Sequence, residues 1–435
     1  MNRLKHLLFA ATTVSIACLA VRTSAQPAPV ASPSSGAVMT WEQIKARFEA
    51  ANPALKADAL GVDEARAAEI TANLRPNPQF AFAVDGAQLA PNNGVWQPLN
   101  GVQTQTTLSY LHERQRKREL RTEAAKDSTL VAAENHEDLK RNLEFNLRSA
   151  FIQTLQAKAT LKLARDDLEY YDKIIGISRD RFHAGDIAQV DLDRIELQRV
   201  QYESQLQAAL VNLRTAKIQL LQMLNDRTPV EQFDVDGPFD FSPDIKDLEQ
   251  FRQIALDARP DLRAAIEQIE QSKAQHKLAL ANGSTDPTFG GWWTYDGSFN
   301  NPNANHALGL SVTLPLRIFD RNQGEKQRTA IDIQKSQQAT ESTRAQVFGD
   351  VDSAYAQVDS NITLLKPYKD RYLAQSTRVR DTVTYSYQHG GATLIDFLNA
   401  QSDYRTVQLA YLQLIGSYLT AASQLNLAVG REVIP

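Results

Sequence analysis

One uninterrupted helical stretch constrains the fold of this chain more than any other feature of its sequence. Residues 116–182 contain no proline and a single glycine, Gly176, and their apolar side chains recur at intervals of three and four residues. This spacing predicts a helix of about 67 residues, which at about 1.5 Å per residue is about 100 Å long. A helix of that length does not fit inside a compact domain, so it indicates a coiled coil or a helical tube.

Six elements are predicted in the first half of the chain, and the long helix is the fourth of them. In order they are a helix at 41–74 broken at Asn52-Pro53, strands at 80–84 and 102–110 around a loop at 87–101, the long helix, a turn at 183–186 and a helix at 189–224. Both strands alternate apolar and polar residues. A period of two gives each strand one apolar and one polar face.

The same order of elements is predicted again in the second half. It comprises a helix at 247–281 broken at Arg259-Pro260, strands at 288–295 and 307–314, a long helix at 324–387 with a kink expected at Pro367, a turn at 388–392 and a helix at 394–429. At an offset of 205 residues, Gly185 corresponds to Gly390 and Asp191 to Asp396. Such a repeat indicates an internal duplication. The chain is accordingly divided into a first structural repeat at 41–225, a connector at 226–246, a second repeat at 247–430 and a tail at 431–435.

The N-terminus has the three parts of a secretory signal peptide. Basic residues, an apolar run and small residues follow one another as Arg3, Lys5, residues 7–21 and Thr23-Ser24-Ala25. This order predicts a signal peptide at 1–25 and, from its Pro, Ala and Ser content, a flexible leader at 26–40. Cys18, the single cysteine of the chain, is either an apolar residue of the signal or a lipidated residue. The protein is therefore expected to be exported.

Charge and motif content argue against several classes of function. The 47 basic and 51 acidic residues give a formal net charge of −4, which lacks the basic excess that nucleic acid requires. We find no glycine-rich phosphate loop and no nucleophile motif, so no enzymatic activity is predicted. The seven histidines form no i, i+4 pair, and neither a metal site nor a cofactor is predicted.

Four predicted strands are too few to close a transmembrane barrel, which needs at least about eight. Open sheet edges are not tolerated in lipid. If the strands lie in a membrane, several chains must share one barrel, with the polar strand faces lining a channel and the apolar faces meeting lipid. The alternative is a non-channel exported coiled-coil scaffold whose strands form a soluble cap.

Two motifs in the second half carry a family resemblance. Leu314-Pro315-Leu316 ends the last predicted strand, and Phe319-Asp320-Arg321-Asn322-Gln323-Gly324 leads into the long helix that follows. With these motifs and its duplicated order of elements, the chain resembles the TolC family of outer-membrane factors, and within it the CzcC-type heavy-metal-efflux branch. The first repeat departs from that branch at 113–118, where Arg114 and Arg116 replace glycine.

The resemblance implies a mixed, mainly α-helical fold. Three protomers would contribute four strands each to one twelve-stranded outer-membrane β-barrel, continued by a long α-helical barrel in the periplasm. It implies the exit duct of a tripartite RND-type efflux system that exports metal cations or other small toxic solutes. The implied partners are a homotrimer, a periplasmic adaptor (membrane fusion protein), an inner-membrane RND-type pump and outer-membrane lipid. Drug efflux and type I protein secretion are alternatives within the same family.

The resemblance also implies a gate at the end of the helices farthest from the barrel. The family builds its constriction from acidic residues after the second-half turn, and the matching residues here are Asp396 and Asn399. They lie one helical turn apart and would each form a ring of three in a trimer. For Asp396 the alternative is an N-terminal helix cap. Asp191 and Tyr387 match a carboxylate–phenol pair that holds the closed state in the family.

The two predicted turns are further candidates, as docking sites for the adaptor. Gly185 and Asp186 lie in the first turn, and Gly390 and Gly391 lie in the second. Because these turns are duplicated, terminal and rich in small residues, a partner's backbone can approach them closely.

Overall fold

The fold is described from a computed structural model that covers residues 38–91, 93–99, 101–296 and 305–434. The predicted signal peptide at 1–25, Cys18 and the leader up to residue 37 lie outside these ranges. Within them the chain forms, in order, β1 (Val38–Met39), α1 (Trp41–Ala51), α2 (Pro53–Ala72), β2 (Gln79–Asp85), β3 (Gln103–Leu111), α3 (Lys117–Ala184), α4 (Gln189–Met223), β4 (Asp234–Val235), α5 (Leu248–Ala258), α6 (Pro260–Asn282), β5 (Thr288–Asp296), β6 (His306–Thr313), α7 (Gln323–Pro367), α8 (Leu373–Gln388) and α9 (Leu394–Val429).

The long helices follow the sequence prediction closely. α3 is 68 residues long and ends at a glycine with positive φ, Gly185. In the second repeat the predicted helix continues through Pro367, and the irregularity takes the form of a π-helical turn at Tyr368–Tyr372 between α7 and α8. Proline has no N–H for the preceding turn, and a π-turn is one way in which a helix absorbs such a defect.

The four longer strands form one antiparallel sheet in the order β2-β3-β5-β6. In its register Phe80 pairs with Leu108, Leu108 with Gly291 and Gly291 with Leu310. Residues paired across strands share a face, so most of the large apolar side chains of the four strands lie on one face. They are exposed in the isolated chain: Phe80, Phe82, Val84, Leu108, Phe289, Trp293, Tyr295, Leu308, Leu310 and Val312. β2 and β6 are open edges.

The opposite face of the sheet carries mostly small and polar residues, among them Gln105, Thr107 and Ser109 of β3. Trp292 also lies on this face, unlike Trp293 and Tyr295, because alternation places neighbouring residues on opposite sides. Its ring covers Gly309, where a Cβ would lie 2.1 Å from the indole. Trp292, Trp293 and Tyr295 of β5 therefore do not all lie on one face of the sheet.

Four apolar clusters hold the described helices together, and the smallest joins Leu161 and Ala164 of α3 to Ala209 of α4. One lies in the first repeat and is centred on Phe48 and Phe151, and a second lies in the second repeat around Phe251 and Leu425. The third is near the two helical turns and combines Tyr171 of α3 with Phe397 of α9. β1 pairs in parallel with β4 and joins the start of the first repeat to the segment between the repeats.

The residue before the helix-breaking proline plays the same part in both repeats. Asn52 accepts hydrogen bonds from the first N–H groups of α2 and donates from Nδ2 to the carbonyl of Met223 at 3.0 Å. Arg259 donates to the carbonyl of Ala428 at 3.2 Å, and Met223 and Ala428 are separated by the same 205 residues as the two turns. Each repeat thus ties its helix break to the end of its last helix.

Arg259 also forms a buried ion-pair network that Asn52 does not. Its guanidinium, with a side chain 4% exposed, contacts Asp261 at 2.6 Å and Asp350 of α7 at 2.8 Å. The two carboxylates and the bound carbonyl satisfy a charge that would otherwise be costly to bury.

We expect Arg259→Ala to lower the free energy of unfolding by about 3 kcal/mol, because it leaves two partly buried carboxylates without their partner. Asn52→Ala should cost about 1–2 kcal/mol through loss of a helix cap. Guanidinium chloride titration of the helical circular dichroism measures both changes. Arg66→Ala is the control, because its pair with Asp63 is exposed and should contribute less than about 1 kcal/mol. If Arg259→Ala and Arg66→Ala lower the free energy of unfolding equally, the buried ion pairs of Arg259 add no stability beyond that of an exposed pair.

Candidate functional site at the helical turns

The turn between α3 and α4 is a Schellman motif, a C-cap closed by a residue in the left-handed conformation. Gly185 adopts φ +82° and donates to the carbonyl of Phe182, while Asp186 N–H donates to the carbonyl of Arg181 at 2.9 Å. No Cβ is present at Gly185 to oppose this conformation.

The turn between α8 and α9 repeats the motif. Gly390 adopts φ +77° and donates to the carbonyl of Tyr387, and Gly391 N–H donates to the carbonyl of Ser386 at 2.8 Å. Each position lies 205 residues after its counterpart in the first turn. The duplication seen in the sequence therefore extends to the hydrogen bonds of the two turns.

Arg181 of α3 links the two turns directly. Its guanidinium donates to the carbonyl of Tyr387 at 2.6 Å and lies over the Tyr387 ring at 5.1 Å. Its Nη2 is also the atom nearest to the face of Gly390, 3.9 Å from the place of a Cβ. The structure thus brings Gly185, Asp186, Gly390 and Gly391 to one end of the molecule, as two adjacent turns.

Tyr387 is buried inside its own chain. It is 3% exposed, its ring stacks on Phe397 at 5.1 Å between centroids, and its hydroxyl lies 3.5 Å from the Ser178 hydroxyl. Asp191 lies in the first turn of α4. Among the described residues, no hydrogen bond within the chain joins Asp191 to Tyr387.

Asp396 and Asn399 are both exposed on α9, opposite the buried Phe397. The helix cap is Thr393, and Asp396 is the third helical residue that completes a capping box. Its carboxylate accepts from the Thr393 hydroxyl at 2.6 Å and from the Thr393 N–H at 3.1 Å. These two hydrogen bonds favour the charged form and lower the pKa of Asp396. The carboxylate is therefore ionised at neutral pH whichever role it has.

A buried polar layer above the turns was not predicted. Asp167 of α3 is 7% exposed and has Arg405 of α9 as its nearest cation, with 3.8 Å between Oδ2 and Nε. Oδ2 and the Tyr171 hydroxyl are buried without a hydrogen bond among the described residues. Burial raises the pKa of Asp167 to about 6, partly offset by Arg405 and Arg380. The spacing from Ala164 to Asp167 to Tyr171, three and four residues, could have placed this carboxyl on the buried face.

Two kinds of feature are absent from residues 38–91, 93–99, 101–296 and 305–434. No helix in these ranges is both long and apolar enough to cross a membrane. Nor do three or more His, Cys, Asp or Glu side chains in the same ranges come together as a metal site.

Solved structures share this architecture of an open four-stranded sheet on long paired helices. The CusC channel matches with a TM-score of 0.76 at 19% identity, over 90% of this chain and 92% of CusC. The outer-membrane protein VceC of Vibrio cholerae matches with a TM-score of 0.72 at 15% identity, over 90% of this chain and 96% of VceC. The fold is therefore that of a TolC-like outer-membrane channel, as the sequence predicted.

Sequence comparison also gives matches to a family and to a relative of known name. Residues 251–431 match the family described as outer membrane efflux protein. The cobalt-zinc-cadmium resistance protein CzcC of Cupriavidus metallidurans is 22% identical over 418 residues, which is 94% of each chain. These comparisons confirm the predicted resemblance to the TolC family of outer-membrane factors and the predicted outer-membrane location.

Asp167→Asn is expected to stabilise the protein at alkaline but not at acidic pH. The raised pKa means that the folded state favours the protonated acid, so ionisation disfavours folding as pH rises from the ordinary 3.8 to about 6. A pKa raised by two units lowers the free energy of unfolding by about 3 kcal/mol, and the full loss is reached once the pH exceeds the folded-state pKa. Thermal unfolding at pH 4 and pH 8 measures the difference, with the exposed neighbour Asp166→Asn as control. A gain of the same size at both pH values would contradict the assignment.

Proposed function

We propose that this protein is a homotrimeric exit duct of a tripartite RND-type efflux system and that its cargo is metal cations. The proposal rests above all on the apolar sheet face, which is continuous across four strands that have two open edges. Such a sheet is stable in lipid only if further copies close it. The metal cargo is supported by the relative named a cobalt-zinc-cadmium resistance protein.

The directions of the edge strands suit closure by identical copies. β2 begins at the helical side of the sheet and β6 ends there. β6 of one protomer would therefore run antiparallel to β2 of the next, as every other pair in the sheet does. The polar face then lines the channel and the apolar face meets lipid.

The helical end supplies a gate and a docking site in this proposal. Asp396 and Asn399, on one exposed face of α9, would form two rings at the threefold axis. Gly185, Asp186, Gly390 and Gly391 would receive the periplasmic adaptor, which connects the duct to an inner-membrane pump. A link between Asp191 and Tyr387 would join neighbouring protomers, and it requires Tyr387 to leave its packing against Phe397.

We expect Asp396→Ala to reduce cation selectivity and divalent-cation block of the trimer in planar lipid bilayers, and the double change Asp396→Ala, Asn399→Ala to reduce them further. The reason is that three carboxylates at an axis concentrate cations with little screening. Thr393→Ala is the matched control, because it disrupts the same capping box without removing the charge. Unchanged selectivity in the double variant would place the constriction elsewhere, and a chain that forms no conducting trimer would refute the duct.

We expect leucine at Gly185 and Gly390 to abolish complementation of a deletion strain on medium containing Co²⁺, Zn²⁺ or Cd²⁺, without lowering trimer yield. Both turns need positive φ, and a bulky side chain also blocks the approach of an adaptor backbone. Asparagine at the same positions tolerates that conformation and should retain most of the metal tolerance. Full tolerance in the leucine variants would move the docking site away from the turns. Sensitivity of the deletion strain to drugs but not to metals would favour drug efflux.

A further inference from the structure

The sheet has two ends of opposite electrostatic character. At one end β2 and β5 begin and β3 and β6 end, so every connection there leads to a helix. At the other end the strands are joined by segments 86–101 and 297–305, whose sequence contains no lysine, arginine, aspartate or glutamate. The strand ends there carry Asp85, Asp296 and His306, so the lysines and arginines next to the sheet are confined to the helical end, which we call the junction.

Five arginines at the junction have side chains with no ion pair or hydrogen bond among the described residues: Arg75, Arg114, Arg116, Arg317 and Arg321. Arg317 even buries its Nε without a partner. Two nearby carboxylates are paired with other cations, Asp286 with Lys117 at 2.6 Å and Glu113 with Arg121 at 2.7 Å, and Asp320 accepts from the Asn322 N–H at 2.8 Å. The arginines are thus left un-neutralised on an otherwise slightly acidic protein.

A cavity in this region offers a place for a small anionic group. It has a volume of about 200 Å³ and is lined by Arg75, His112 and Arg118, together with Pro76, Tyr110, Glu113 and Glu119. The guanidinium of Arg75 is free, while Arg118 contacts only the exposed Glu119 at 3.3 Å.

The apolar face of the sheet continues past its last hydrogen bond at this same end. Leu314, Leu316 and Ile318 keep the alternation of β6, and Leu316 is 80% exposed. Phe319, which follows, is 89% exposed. By the same alternation Arg317 falls on the opposite side, whereas the exposed Arg321 follows two residues after Phe319. The junction therefore presents apolar groups and unpaired guanidinium groups side by side.

We propose that the junction binds the headgroups of anionic phospholipids in the periplasmic leaflet of the outer membrane. The inference rests on the proposed function, which places the apolar sheet face in that membrane. A phospholipid offers a phosphate directly beside acyl chains, and guanidinium groups bind phosphate with two parallel hydrogen bonds. Leu316, Ile318 and Phe319 would lie at the boundary between headgroups and acyl chains, as interfacial apolar side chains do.

A neighbouring copy of the chain is the other conceivable occupant, and the charges argue against it. β6 would lie beside the next protomer's β2, so the segment before that strand, 73–78, would face the β6 connector. That segment contains Arg75 and no carboxylate. Contact between protomers would therefore bring arginines together, whereas lipid phosphates separate and neutralise them.

The test is native mass spectrometry of the detergent-solubilised, full-length trimer titrated with palmitoyl-oleoyl phosphatidylglycerol or with the matching phosphatidylcholine. We expect the wild-type trimer to bind phosphatidylglycerol at least tenfold more tightly. Arg75→Gln, Arg114→Gln and Arg321→Gln together should remove that preference and leave phosphatidylcholine binding unchanged, since one basic side chain near an anionic surface contributes about fivefold. The control removes three exposed cations of the helices that have no recorded side-chain partner: Lys162→Gln, Arg165→Gln and Arg194→Gln.

Each other result overturns the proposal. Equal affinity of the wild type for the two lipids, or a preference that survives the junction changes, shows that these arginines bind no anionic headgroup. Loss of the trimer species in the junction variant alone assigns the arginines to a protomer contact. Flotation with phosphatidylcholine vesicles tests membrane insertion separately, because failure there would refute the proposed duct before any lipid preference is measured.

Discussion

The unpaired backbone groups along β2 and β6 are the constraint on which the rest of the structure depends. In water such edges can be solvated, but in hydrocarbon each unpaired N–H or C=O costs several kcal/mol. The sheet can enter a membrane only when further strands close it, and its apolar face would be costly to leave in water. In the proposed duct, assembly would thus be part of folding for this chain. Copies around one axis would then turn the paired long helices below the sheet into a tube.

At the helical turns, the end of the molecule farthest from the sheet, the two repeats make the same backbone contacts but different side-chain contacts. Both turns close with the same Schellman hydrogen bonds, yet Arg181 reaches only from the first repeat to the second. The helix breaks differ in the same way, since Asn52 is a neutral cap and Arg259 is the centre of an ion-pair network. The duplication therefore preserves backbone geometry while side chains make the two halves distinct. Such differences let one repeat carry the gate candidates Asp396 and Asn399.

Local periodicity explains what could be predicted from the sequence. The spacing of apolar residues gave α3 and α9 almost to the residue, and the Asn52-Pro53 and Arg259-Pro260 breaks lie where expected, because each depends on neighbours a few residues away. The pairing of β1 with β4 was missed, since two-residue strands have no period and their contact spans the whole first repeat. The alternative role considered for Asp396, the cap of α9, belongs to Thr393, and Asp396 completes the capping box. Burial of Asp167 depends on four helices meeting, which no local pattern records.

The π-helical turn after Pro367 sets the rotational phase between the two ends of the second repeat. Nineteen residues separate buried Leu365 from buried Thr384, and at about 100° per residue they would leave these side chains on faces about 100° apart. A π-turn accommodates one extra residue. The remaining eighteen steps of about 100° complete whole turns, so Leu365 and Thr384 return to the same side of the helix. The π-helical turn thus corrects the rotation of the helix. Deleting one residue from Tyr368–Tyr372 to give regular helix would keep the same alignment and shorten the helix.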